Sequence, residues 1–303
     1  MGRALALALI EHGVNLTCAV RAEIILAEAR TELIANIEGQ TDWARCLIGI
    51  DTVIHSAARV HVMREDSCDS LAEFRRVNVE GTLNLARQAA TAGVRRFIFI
   101  SSIKVNGEAT INGAKFTEQD LPCPQDAYGI SKYEAELGLL KLGKETGVDI
   151  VIIRPPLIYG PGVKANFASM LRLARAQIPL PFGAVRNKRS FVYLGNLISL
   201  ILCCIEHPDA ANEIFLVSDG TDLSISEVLR ACASAFGKRS FLFWVPPFLL
   251  MGAAGILGKR SMAQRLLGSL QVDISKSKKI LGWTPPISVE DGLKETVKRR
   301  FES

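Results

Sequence analysis

MGRALALALIEHGVNLTCAVR, residues 1–21, is the stretch from which the fold can be read. Ala4 to Ile10 is an apolar run that suits a helix, closed by His12-Gly13, and Val14 to Val20 reads as a buried strand of apolar and β-branched residues. A helix that feeds a strand is half of a βαβ unit. The same alternation continues down the chain. A charged stretch from Ala22 to Glu38 leads to a strand at Thr52–His55, and helical periodicity covers Leu71–Ala92 up to Gly93. RRFIFISS, residues 95–102, is a short β-rich run, a helix spans about Ala127–Thr146, and VDIVIIRPP carries a strand stopped by two prolines. This order predicts an α/β protein with a parallel sheet and helices on both faces.

Beyond about Pro161 the pattern is less regular. FVYLGNLISLILCCIEH reads as a strand end and a helix, NEIFLVSDG as a strand, and SISEVLRACASAFG as a helix with Ser224 as N-cap. The expected organisation is a dinucleotide-binding domain over residues 1–160. A smaller C-terminal lobe takes up 161–303, with some segments returning to the sheet. Ligands in such sheets sit at the carboxyl ends of the strands, where the strand order reverses.

Composition narrows the function classes. With 303 residues, 49% hydrophobic and 22% charged, the chain can bury a substantial core and is not of the disordered class. The net charge of +5 is spread out except for Lys298-Arg299-Arg300, which reads as a solvated helix end rather than a nucleic-acid contact. Cysteines 18, 46, 68, 123, 203, 204 and 232 show no CxxC pair or zinc spacing, so reduced thiols of a cytoplasmic protein and no metal site are expected. No cleavage-like segment follows the first apolar residues, so no secretory leader is expected. FLFWVPPFLLMGAAGILGK, residues 241–259, is the most apolar stretch, and Pro246-Pro247 divides it into halves too short to span a bilayer. It is expected to form a buried lobe rather than a membrane anchor, with peripheral membrane contact as the alternative.

Chemistry concentrates in AYGISKYEAE, where Tyr128 and Lys132 lie four residues apart and hence on one helix face. A phenol with an ordinary pKa of about 10 is a poor base at neutral pH. A neighbouring ammonium lowers that value and makes the tyrosine usable as a general acid/base. FIFISSIKVNGE puts Ser101 and Ser102 just after a strand, where a hydroxyl can hydrogen-bond a substrate alcohol or ketone. Asn78, in RRVNVEGTLNLA, could hold a water or backbone group of a proton relay.

Together with these segments, DTVIHSAA (51–58), NVEGTLNL (78–85), IIRPPLIYGPG (152–162), RSFVYLGNL (189–197) and DISKSKKILGW (273–283) occur in the order of a known family. The chain resembles an extended short-chain dehydrogenase/reductase of the NAD-dependent epimerase/dehydratase family, with a Rossmann-type doubly wound sheet. The resemblance implies Ser102, Tyr128 and Lys132 as catalytic, with Asn78 in the relay. It implies Gly2, Ala57, Ala58 and Pro155 at the cofactor, together with Tyr128 and Lys132. Asn166 and Arg189 match substrate positions, Arg189 facing a nucleotide diphosphate with its forked donors, and Lys104 faces the substrate in the same picture. Asp273–Trp283 matches a C-terminal signature of structural character.

Family members open with a strand and a TGxxGFxG turn whose backbone N–H groups meet the cofactor pyrophosphate. Gly2 lines up with the last glycine of that turn. The expectation is therefore that Met1 is an internal methionine of a longer chain; the alternative is a variant that binds no cofactor. Arg21, near the end of the second family strand, favours NADP, and Glu23 keeps NAD open. The implied reaction is at C4 of a UDP-hexose, as in UDP-glucose 4-epimerases of surface-polysaccharide synthesis. Its alternatives are a 4-reductase of a UDP-4-keto-6-deoxy-N-acetylhexosamine, a hydroxysteroid-type dehydrogenase and a non-catalytic relative. A homodimer through the helices around 71–92 and 127–146 is implied by the resemblance alone.

Overall fold

The computed structural model describes residues 1–303 apart from 24, 25, 27, 61–69, 112, 163, 164, 302 and 303, and omits the side chains of 165, 166, 261 and 299–301. Cys68 and the side chain of Asn166 therefore lie outside the described residues. Helix α1 (Gly2–Glu11) leads into β1 (Leu16–Val20), as the opening stretch predicts, and β1 pairs in parallel with β2 (Ala29–Leu33). The charged stretch after residue 22 thus contains a strand, whose exposed positions conceal it from an apolar pattern. After the short helix α2 (Ala44–Leu47) comes β3 (Thr52–His55), the first of four parallel strands.

Periodicity over 71–92 predicts one helix, but the structure breaks it. Helix α3 (Ser70–Arg75) runs into a π-helical turn at Arg76–Gly81 and then into α4 (Thr82–Thr91). A widened turn does not change which residues are apolar, so periodicity passes over it. Gly81 closes the turn against Ile37, where an added Cβ would lie 2.9 Å from the Ile37 carbonyl carbon.

Strand β4 (Arg96–Ile100) is buried along its whole length and pairs with β3 and with β5 (Asp149–Arg154). Its side chains alternate between two cores, as the two-residue period of a strand requires. Phe97 and Phe99 join Leu85, Ala86 and Leu139 on one face, while Ile98 and Ile100 join Leu5, Leu9, Leu197 and Ile201 on the other. The first face is covered by α4 and by α5 (Ala127–Thr146), the second by α1 and α7 (Leu194–Glu206). Strand β8 (Ile214–Leu216) pairs with β5 and completes the order β3-β4-β5-β8. All strand pairs are parallel. The β1–β2 pair and this four-stranded sheet are separate, because β1 and β3 share no ladder among the described residues.

The third pair is β6 (Leu157–Tyr159) with β7 (Phe191–Tyr193). With α6 (Ala165–Ala176), α8 (Ile225–Ala235) and α12 (Val289–Phe301), this pair surrounds a separate core of Tyr159, Phe167, Phe191, Val228 and Leu293. Helix α8 starts on a capping box in which the Ser224 hydroxyl accepts from the Glu227 N–H and the Glu227 carboxylate accepts from the Ser224 N–H. The C-terminal carbonyls of α7 are met by a buried guanidinium. Arg96 Nη1 donates to the carbonyls of Cys204, Ile205 and His207 at 2.8, 3.0 and 2.9 Å, a favourable place for a cation.

The apolar segment 241–259 departs from expectation. Helix α9 (Pro247–Ile256) buries none of its residues, although it packs on α10 (Arg260–Leu267). A helix that is apolar on every side and lies at a protein's surface can cover only the side that meets its neighbour. Helix α11 (Ser275–Leu281) returns the chain to β8 and brings Trp283 into the core beside α7. Among the described residues, no helix is long and apolar enough to cross a membrane.

Candidate active site

The segments that follow β3, β4 and β5 meet the first turns of α5. Asp126 caps α5 by accepting from the Gly129 N–H at 2.7 Å, which orients its first turn and with it Tyr128. One turn on, Lys132 is buried, its Nζ donating to the Ile100 carbonyl at 2.8 Å and lying 4.3 Å from the centre of the Phe99 ring. Burial, opposed by the nearby Glu136 carboxylate, pulls the Lys132 amine down to about 7. The Tyr128 ring makes an edge contact with Phe74, and its hydroxyl has no hydrogen bond among the described residues. Burial, with the Asp126 charge adding to it, pushes this phenol up to about 12. The expectation that Lys132 lowers the Tyr128 pKa is therefore corrected. In the protein alone, burial and the Asp126 carboxylate set the direction of the shift.

Ser102 ends the β4 segment as N-cap of a 3₁₀ turn at Ile103–Val105, its Oγ accepting from the Lys104 N–H at 3.3 Å. Its neighbour Ser101 is buried, with no hydrogen-bond partner for its Oγ among the described residues. Asn78, in the π turn, is buried and bound on three sides. Its Oδ1 accepts from the Arg59 N–H at 2.8 Å, and its Nδ2 donates to the Arg59 carbonyl and to Ser131 Oγ, each at 3.0 Å. The side chain thus fastens the loop that carries Ala57 and Ala58 to helix α5. Pro155 is buried after β5, and its carbonyl accepts from the Ile103 N–H at 3.0 Å. These bonds bring Asn78, Ala57, Ala58, Ser102, Tyr128, Lys132 and Pro155 to one edge.

Other expected residues stand further out or are otherwise engaged. Lys104 pairs with Asp126 and with Glu108, and its Nζ lies 6.0 Å from the centre of the Tyr128 ring. Arg189 belongs to the C-terminal half, where Nη1 donates to the carbonyls of Arg265 and Gly268 at 2.7 and 2.9 Å. Its Nε and Nη2 make no hydrogen bond among the described residues. Arg21 is exposed beyond β1, and Gly2 opens α1 with its Cβ position 3.8 Å from Ser56 Oγ.

Sequence reasoning missed two parts of this neighbourhood. One is the Lys104–Asp126 ion pair, for which Asp126 before a helical run offered an N-cap signal. The other is a buried group beside Lys132. Arg154 donates to Glu136 through Nε at 3.0 Å and Nη2 at 2.6 Å, and to Asn106 Oδ1 at 2.9 Å.

Residues 1–218 match the family described as NAD dependent epimerase/dehydratase. The chain belongs to this family. Within it, the chain is 49% identical over 264 residues to a UDP-glucose 4-epimerase of Vibrio cholerae, covering 87% of this chain and 80% of the relative. Two solved structures share the fold of this epimerase/dehydratase family member. A UDP-glucose 4-epimerase from Thermotoga maritima with UDP-glucose superposes with a TM-score of 0.76 at 22% identity, over 98% of this chain and 94% of its own. A UDP-glucuronic acid 4-epimerase from Bacillus cereus with NAD gives 0.78 at 20% identity, with the same coverage.

The residues present fit the dinucleotide that gives the family its name. Among the described residues the buried Ser101 Oγ is unpartnered, and the one hydrogen bond of Lys132 Nζ leaves donors for a polyhydroxylated ligand. Small side chains at Ala57 and Ala58, and the absence of one at Gly2, let a ligand approach the backbone closely.

Proposed function

We propose that this chain is an NAD(P)-dependent epimerase acting at C4 of a UDP-hexose. The observation that carries the reading is Tyr128, its hydroxyl free among the described residues, one helical turn from a lysine amine fastened to the end of β4. NAD(P), when bound, accepts a hydride from the sugar and can return it. Tyr128 acts as a phenolate when it takes the C4 hydroxyl proton and the alcohol becomes a ketone, and the phenol so formed gives that proton back when the ketone is reduced. Ser102 Oγ holds the same oxygen, and Lys132 Nζ supplies positive charge to the phenolate. Asn78 keeps the loop of Ala57 and Ala58 in register with the helix of Tyr128. On this reading residues 1–160 hold mainly the dinucleotide, with Gly2, Arg21, Ala57, Ala58 and Pro155 around it. Residues 161–303 hold mainly the sugar nucleotide, for which Arg189 has diphosphate donors and Lys104 and Asn166 further contacts. The working unit is a homodimer through the outer faces of α3–α4 and α5, and the setting is the cytoplasm.

The test is incubation with UDP-glucose and either NAD or NADP, followed by resolving the sugar nucleotides. Appearance of UDP-galactose with no net change in cofactor redox state is the expected result. Net consumption of NADPH by a 4-keto sugar nucleotide, without epimerisation, would establish the reductase instead. No conversion in either assay by a folded, cofactor-binding protein would overturn both.

A further inference from the structure

We propose that the face built by residues 241–262 is a docking surface for an anionic lipid bilayer, on which the enzyme lies without crossing it. Large apolar side chains point outward there. Phe241 is 53% exposed, Trp244 72%, Phe248 71%, Ile256 90%, Leu257 70% and Met262 64%. Exposed large hydrophobics occur singly on most proteins; a contiguous set of aromatic and aliphatic chains marks a surface that something covers.

The backbone holds these side chains outward. Phe243 N–H donates to the Leu180 carbonyl at 3.0 Å and Leu180 N–H to the Phe241 carbonyl at 2.9 Å. With that segment pinned, Leu242 turns toward the core of the C-terminal half, and its neighbours Phe241 and Phe243 turn away. Leu250 of α9 packs on the same core, leaving Phe248, Leu249 and Ile256 outside.

Charge decides the occupant. Residues 228–272 contain no aspartate or glutamate, and their cations Arg230, Lys238, Arg239, Lys259, Arg260 and Arg265 are all exposed. Arg265 is paired with Glu108 at 3.5 Å, whereas Arg239, Lys259 and Arg260 have no ion pair among the described residues. The basic side chains precede and follow the apolar segment, an arrangement that suits acyl chains bordered by anionic headgroups. A second copy of this face would bring cations against cations with no acidic residue from the segment to answer them. Helix α9, 10 residues or about 15 Å long, falls well short of a hydrocarbon core of about 30 Å. It can lie in the interface and cannot span.

The chain has three tryptophans, and Trp43 and Trp283 are buried, so Trp244 reports on this face. The experiment mixes the full chain with phosphatidylcholine vesicles, with or without phosphatidylglycerol, then follows flotation and tryptophan emission. The expected result is co-flotation with the anionic vesicles, weakened by salt, with a blue shift and quenching by brominated acyl chains. Phe248→Glu combined with Ile256→Glu should cut vesicle partitioning at least about tenfold, leaving the unfolding temperature and cofactor binding unchanged. Absence of flotation and of a blue shift with any vesicle overturns the proposal. So does a blue shift that needs only higher protein concentration and vanishes in the double variant, which would assign the face to a second copy.

Discussion

Asn78 Nδ2 donates to Ser131 Oγ at 3.0 Å, joining residues 53 positions apart and fastening the π turn to the helix of Tyr128 and Lys132. The same amide holds both backbone groups of Arg59. One side chain therefore sets the distance between the loop after β3 and the first turns of α5. A regular α-helical turn would aim residue 78 in a different direction, which gives the π turn a structural purpose.

Replacing Asn78 with Ala leaves the Arg59 backbone and Ser131 short of partners, at a cost of about 1–3 kcal/mol. Urea unfolding measures that loss. Because the loop is released from α5, turnover should fall further than stability predicts under conditions where the variant remains folded. Unchanged turnover in folded Asn78→Ala would remove Asn78 from the positioning of the site.

Tyr128→Phe deletes a hydroxyl that has no hydrogen bond among the described residues, so its unfolding temperature should stay near that of the parent. Turnover should drop about 10²–10⁴-fold, the scale of a lost general acid/base. Calorimetric titration with NAD and NADP should give affinities close to the parent's. Retained turnover would exclude Tyr128 as the proton carrier.

His55 is buried at the end of β3, stacked on Phe99 and sharing a hydrogen bond with Thr82 at 2.9 Å. Burial first, then the Lys132 charge, pulls its pKa down from 6.5 to about 3. The folded value lies below the unfolded one, so the stability His55 contributes is fully present above about pH 6.5 and is lost as pH falls toward 3. The loss across that window is of order 5 kcal/mol. His55→Gln should be less stable at neutral pH and visibly flatter between pH 6.5 and 3 in denaturant titrations. An equally steep fall in the variant would place the effect elsewhere.

Glu136 and Arg154 form a buried ion pair, with side chains 1% and 3% exposed. Removing one partner strands the other charge, so Glu136→Gln should cost about 3–5 kcal/mol. Glu136→Leu with Arg154→Met in the same chain should cost less than the Glu136 change alone. A thermal-unfolding double-mutant cycle measures this, and strict additivity of the two single losses would show that the pair is not coupled.

Local chemistry made part of this protein legible in advance. The helix read at about Ala127–Thr146 is α5, and Asp126 and Gly147 cap its two ends. Ser224 caps α8, because capping is settled within four residues. The β-rich run at 95–102 supplies β4, and its residues Phe97 to Ile100 are apolar because the strand is covered on both faces. Strand β2 escaped notice because its exposed residues carry charges that also suit a helix or loop. The electrostatics of Tyr128 and Lys132 escaped for another reason: a pKa depends on how much water a neighbourhood excludes, and spacing along a helix does not contain that quantity.

The amino-acid order by itself determined the alternation of strands and helices, the ends of α5 and α8, and the presence of Tyr128 and Lys132 on one helix face. Each of these follows from interactions within a few residues. The tertiary structure alone decided that Asn78 grips Arg59 and Ser131, that Arg96 meets the carbonyls of α7, and that Arg154 pairs with Glu136. It also decided that α9 presents its apolar side outward. These outcomes depend on which distant surfaces meet and which find no partner, and an apolar run reads the same whether it is covered or not.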